Sequence, residues 1–144
     1  MTSTEKLNPK SWEANLGALV LRVTVGGLFL LHGVSKMTHG VEGMQAMLGS
    51  HGIPGFVAYG VFVGEVLAPL LLILGVAMRS SAAAITITML MAVYLVHSGD
   101  VFTIGDHGEY ALELQLLYAV GAIAAALMGP GRWAVPTRGF VAKL

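Results

Sequence analysis

Four long apolar runs decide what this chain can fold into. Residues 16–35, 56–78, 82–97 and 109–128 each approach the roughly 20 residues that carry a helix across about 30 Å of hydrocarbon. The third is short and reaches the spanning range only with its flanking Ser and His residues. In lipid a segment must satisfy its own backbone groups, which leaves the helix as the solution for runs of this kind. Composition agrees, since 56% of the 144 residues are hydrophobic and 11% charged, against roughly 45–50% and 25% in a soluble domain. One small water-facing core cannot hide that much apolar surface. The expected fold is therefore all-α: a four-transmembrane-helix bundle forming one domain over residues 16–132, with a polar tail at 1–15 and a second tail at 133–144. The first run is too long for a signal peptide, contains Arg22 and lacks a small-residue cleavage site.

The basic residues give the bundle a direction. Lys6 and Lys10 in the first tail, Arg79 between the second and third runs, and Arg132, Arg138 and Lys143 after the fourth all fall on one side, and Lys36 alone flanks the other. Both termini are expected to be cytoplasmic, N-in and C-in, in a multi-pass protein of a bacterial inner membrane. Acidic and basic residues balance at 8 each, so no net field exists to recruit nucleic acid. There are no cysteines, which excludes disulfides, thiolate metal sites and persulfide chemistry by this chain alone.

Polar residues inside the apolar runs are where chemistry is expected, because lipid penalises them. Arg22, Gly26, Phe29, Gly33 and Lys36 recur at spacings of four and three, so they share one helix face that must look into the protein. His32 borders that stripe. Arg22 should pair or snorkel. Glu65 sits near the middle of the second run and needs a partner or a proton. Four residues on, Pro69 cannot donate to the carbonyl of residue 65, so a kink is expected there. Gly60 and Gly64 form a small-xxx-small pair beside it. Glu109 and Glu113, four apart, are expected on one face at the start of the fourth helix. His97 closes the third helix, with Tyr94 on its side. A short interfacial helix is expected around residues 42–48, within the loop 37–55.

His32, Lys36, His97, Glu109 and Glu113 thus gather by depth at the outer end, with Glu65 deeper. They are the candidate substrate- or quinone-binding residues, and Arg22 and Pro69 the structural ones. Burial and ion pairing push such groups in opposite directions, so proton exchange near neutral pH is available to them. A bis-histidine haem between His32 and His97 requires two rings that converge, which depth alone does not supply. No ligand spacing among His39, His51, Asp100, Asp106 and His107 suggests a metal. Methionines 37, 44, 47, 89 and 91 read as packing residues.

These residues resemble the DoxX family of small four-helix membrane proteins over about residues 19–132. The resemblance is carried by Leu21-Arg22 with Gly26, Phe29 and His32-Gly33-Val34-Ser35-Lys36; by Gly64-Glu65 and the run from Leu71 to Gly75 leading to Arg79; and by Gly108-Glu109, Ala111-Leu112 and Gly129-Pro130-Gly131-Arg132. Where the family commonly continues with a short segment ending in Asp, this chain has Trp133-Ala134-Val135-Pro136. The resemblance implies a place in membrane redox systems: thiosulfate:quinone oxidoreductase subunits, quinone or catechol resistance, and complexes with oxidative-stress enzymes. Without cysteine, a thiosulfate half-reaction needs another subunit.

Three functions fit these readings. The favoured one is a quinone-linked redox or oxidative-stress component, alone or as a subunit of a membrane oxidoreductase. In it Lys36 or His32 hydrogen-bonds a quinone carbonyl, Glu109 or Glu113 relays protons, and Glu65 with Arg22 sets the field. The second is a non-enzymatic scaffold whose loops dock a protein partner. The third is a small-solute or proton carrier working as a homo-oligomer around Glu65.

Overall fold

The computed structural model describes residues 9–136, and the predicted residues of the outermost tails, Lys6, Arg138 and Lys143 among them, lie outside that range. The described chain is all-α. Helix α1, Pro9–His39, is 31 residues long, or about 46 Å at 1.5 Å per residue. It starts earlier than the apolar run because Pro9 suits the first helical position. It ends later, its last turn closed by the Gly40 N–H donating to the Lys36 carbonyl at 3.0 Å. Gly40, at φ +84°, then stops it. Helix α2, Glu42–Ser50, is the short helix expected within the first loop.

The second span, α3 (Gly55–Leu74), is not one uniform helix. It opens as a 3-10 turn over Gly55–Gly60, passes through a π turn over Val63–Leu67 and finishes as α-helix over Ala68–Leu74. The sequence predicts an end at residue 78, but the helix stops at Leu74. Gly75, at φ +73°, lets its own N–H reach the Leu72 carbonyl at 3.1 Å and the Val76 N–H reach Leu71 at 2.9 Å, which is the Schellman termination. The next helix, α4 (Met78–Val96), therefore begins before Arg79-Ser80-Ser81. Those residues form its first turn and not the connection, which is Gly75 to Ala77.

Helix α5, Glu113–Met128, begins four residues later than expected. Residues 103–111 fold on themselves instead: Ala111 N–H donates to Thr103 at 3.1 Å and Gly105 N–H to Glu109 at 2.8 Å, around an isolated antiparallel bridge between Ile104 and Tyr110. Those bonds use the backbone groups a helix would need. Glu109 is thus a loop residue, off the helix that carries Glu113. Among the described residues, three helices (α1 from Trp12, α3 and α4) are long and apolar enough to cross a membrane, and α5 is a shorter apolar helix of about 24 Å.

The four long elements pack as a ring in which α1 meets α3 and α5, and α4 meets α3 and α5. Each contributes a fully buried residue to the central cluster: Phe29, Leu72, Ile85 and Ala122. A second cluster of Val41, Leu48, Ala58 and Val61 pins α2 against the start of α3. At the opposite end, Arg132 N–H donates to the Asn15 side chain at 2.8 Å and Val135 N–H to the Leu74 carbonyl at 2.9 Å. The segment after α5 is therefore a strap across that end. It brings the two described chain ends together.

Candidate functional site

The site is made by the departures of α3 from regular geometry. Pro69 has no N–H for the Glu65 carbonyl. The ladder adjusts upstream, where Ala68 N–H bonds to Val63, five residues back. The kink expected at Pro69 thus takes the form of a π turn, a feature that often marks functional positions. Glu65 lies within that turn. The turn presses against α1 where α1 has no side chain: a Cβ on Gly33 would overlap the Glu65 carbonyl oxygen and come within 2.6 Å of Val66 Cγ2. Gly26 makes the same allowance for the Pro69 carbonyl and Ile73. Of the expected small pair, Gly64 lies against Thr88 of α4, but Gly60 has open space around it. The two do not act together.

This close approach sets the Lys36 ammonium 2.5 Å from Glu65 Oε2. The carboxylate is the inner partner, with 6% of its side chain exposed against 28% for Lys36. An ion pair so little hydrated holds its strength, because few waters compete for either charge. The pair lies on the wall of a cavity of about 530 Å³ bounded by α2, α3 and α4. The other walls are apolar, with Met44, Met47, Leu48, Val61, Met91 and Leu95 among them, and Thr88 adds a hydroxyl. That volume falls within the roughly 300–1,000 Å³ usual for small-molecule sites, and an apolar chamber with a few fixed polar groups is their usual chemistry. Val57, Ile87 and Val96 line it and are also exposed on the outside of the helices. The chamber therefore borders the exposed apolar surface of α3 and α4.

The remaining candidates do not reach it. His32 is exposed; its Nδ1 lies 3.2 Å from the Leu28 carbonyl and its ring meets Tyr118 of α5 edge-on at 5.6 Å, on the other side of α1. His97 pairs with Asp100 at 3.1 Å. The Glu109 carboxylate accepts the His107 N–H at 3.1 Å and so braces its own loop. Glu113 is exposed on the first turn of α5. Among the described residues, no three His, Asp or Glu side chains gather as metal ligands would.

Arg22 takes neither expected course. It is fully buried and donates from Nη2 to the carbonyl of Trp133 in the strap, while Nε and Nη1 have no hydrogen-bond partner. Fourteen residues separate it from Lys36 on α1, about 21 Å along the axis, so it is remote from Glu65. What sequence reasoning missed was the pairing of Lys36 with Glu65. The available signal was the continuous stripe from Arg22 to Lys36, whose Gly33 marks where α3 must come closest.

The DoxX family profile matches residues 17–98, which contain both members of the ion pair. The chain belongs to the DoxX family. Within that family frame it is a multi-pass membrane protein. The matched region ends at the close of α4, so the resemblance noted in Gly129-Pro130-Gly131-Arg132 lies beyond it. Among curated proteins the chain is similar to one from Bacillus subtilis (strain 168) named "Putative oxidoreductase CatD". The two are 33% identical over 109 residues, 76% of this chain and 79% of that protein. It is also 34% identical over 115 residues to an uncharacterized protein of Haemophilus influenzae, covering 74% and 84% of the two chains. No solved structure matches.

Proposed function

We propose that this DoxX protein binds a lipophilic quinone in the α2–α3–α4 chamber and serves as a quinone-linked component of a membrane redox system. The observation that carries the reading is a single ion pair, Lys36–Glu65, on the wall of an otherwise apolar cavity bordering the exposed apolar surface of α3 and α4. A quinone supplies reversible transfer of electrons together with protons. Lys36 spends one N–H on Glu65, and its remaining N–H donors suit a carbonyl oxygen. Glu65 holds Lys36 in place and is the group through which a proton is exchanged at that oxygen. The methionine and aliphatic walls exclude water and accept a ring and its tail. The oxidoreductase name of the Bacillus relative agrees with this chemistry.

The same reading takes α5 as a fourth crossing and sets both termini on the cytoplasmic side of a bacterial inner membrane. The cavity then lies in the outer half. Four of the earlier candidates (His32, His97, Glu109 and Glu113) stand outside the chamber, so the proposed binding role falls on Lys36 and Glu65. Equilibrium titration of the purified protein in nanodiscs with short-tailed ubiquinone and menaquinone analogues tests this. Saturable retention that Lys36→Met abolishes, and that His32→Ala and Glu113→Gln leave intact, is expected. Retention unaffected by Lys36→Met removes the site, and no retention of either quinone removes the function.

A second reading, an assembly partner of a redox complex, draws on the loop between α4 and α5. Phe102 is 97% exposed and Ile104 70%, which is unusual for a soluble loop and suits a partner surface. Capture of a stoichiometric partner lost in Phe102→Ser supports it.

A further inference from the structure

Four lysines occur in the chain, and three of them, Lys6, Lys10 and Lys143, are within ten residues of a chain end. The fourth is the cavity lysine. An apolar chamber favours the uncharged amine, the form of lysine that attacks carbonyl carbon, and a carboxylate in contact with it is a base placed to take the ammonium proton. From these features we infer that Lys36 forms a reversible imine with long-chain aliphatic aldehydes, with Glu65 as proton carrier and counter-ion. The inference rests on the cavity reading above but not on quinone exchange.

The step balances without an oxidant or reductant. The ammonium of Lys36 passes a proton to Glu65 Oε2, 2.5 Å away, and its freed lone pair adds to the aldehyde carbon. A C–N bond forms while one nitrogen proton moves to the carbonyl oxygen, giving a carbinolamine. Glu65 then returns its proton to the hydroxyl, the C–O bond breaks and water leaves. The product is a protonated imine facing the regenerated carboxylate. One aldehyde and one ammonium become one iminium and one water, and the pair carries the same charges before and after.

Three observations favour an aldehyde. The pair is oppositely charged before and after the step and neutral in between, so no buried charge is left uncompensated at any point. Apolar walls disfavour water, the product of condensation and the reagent of its reversal. The chamber of about 530 Å³ is lined by Met44, Met47, Leu48, Val61 and Leu95, which gives an unbranched chain apolar contact along its length, and Val57, Ile87 and Val96 put its wall next to the bilayer in which such aldehydes dissolve.

The test uses the full chain in nanodiscs, treated with decanal and then cyanoborohydride, followed by peptide mass analysis. Lys36 is expected to gain one decyl group before the terminal lysines do. The label at this position is lost in Lys36→Arg, which keeps the cation but forms no imine, and it forms several-fold more slowly in Glu65→Gln. Gly60→Leu, which fills space at the cavity wall, is expected to slow labelling while the ion pair stays intact, and it serves where Glu65→Gln does not fold. Decyl groups confined to Lys6, Lys10 and Lys143 overturn the inference. Quinone retention measured on the same preparation separates the two readings. Retention without a label at Lys36 overturns the imine alone, a label without retention supports the imine alone, and the absence of both overturns both.

Discussion

Replacing one partner of the Lys36–Glu65 pair should be more damaging on one side than on the other. With Lys36→Met, a carboxylate whose side chain is only 6% exposed loses its counter-ion, and stranding a buried charge in this way costs about 3–5 kcal/mol. With Glu65→Gln, the stranded group is the lysine, 28% exposed. Its long stem lets the ammonium swing toward water, and the expected loss falls to about 1–3 kcal/mol. The double variant Lys36→Met with Glu65→Gln leaves no charge behind and should lose less than the two single losses added together, with a coupling of about 0.5–3 kcal/mol. Unfolding in a titrated denaturing detergent, followed by the loss of helical circular dichroism, measures all three on one scale. Equal losses for the two single variants, or a double variant whose loss equals their sum, would refute the claim that the two groups form one desolvated pair.

Three further outcomes follow from the packing. Gly33→Ala should destabilise by about 1–3 kcal/mol because its methyl meets backbone, while Gly27→Ala, with nothing within 4 Å of the added carbon, should be neutral or slightly stabilising; thermal melts of the two in one detergent decide it. Arg22→Met should cost under about 1.5 kcal/mol, since the guanidinium bonds the Trp133 carbonyl and leaves two nitrogens unmatched, yet proteolysis after Gly131 should quicken as the strap loses its anchor. Trp133→Ala should keep that anchor, because the acceptor is the backbone carbonyl, and a cleavage rate as fast as in Arg22→Met would count against this assignment.

The parts legible in the sequence were those governed by length and period. Apolar runs near the bilayer thickness located the spans, and spacings of three and four placed Arg22, Gly26, Phe29, Gly33 and Lys36 on one face, all of them buried or half-buried. Helix ends were less legible, because they depend on bonds that hydropathy does not encode: Gly75 stopped α3 early, and the bridge between Ile104 and Tyr110 held off the start of α5. Glu109 and Glu113 have helical spacing, but only one of them is on the helix. The ion pair was the least legible feature. It joins residues 29 positions apart, and it depends on the π turn, whose extra residue per turn rotates Glu65 relative to a regular helix. Proline at 69 announced a disturbance without saying which way the side chain would turn.

The strap at the chain-end side of the bundle sets a timetable for the protein. Arg22 rests in the first helix, while the carbonyl that receives it lies 111 residues later. A ribosome threading this chain into a membrane delivers the first helix long before Trp133 has been made. For most of synthesis that guanidinium is therefore without its final acceptor. A chain ending before residue 133 would leave the earliest-made helix without the acceptor that the latest-made segment supplies.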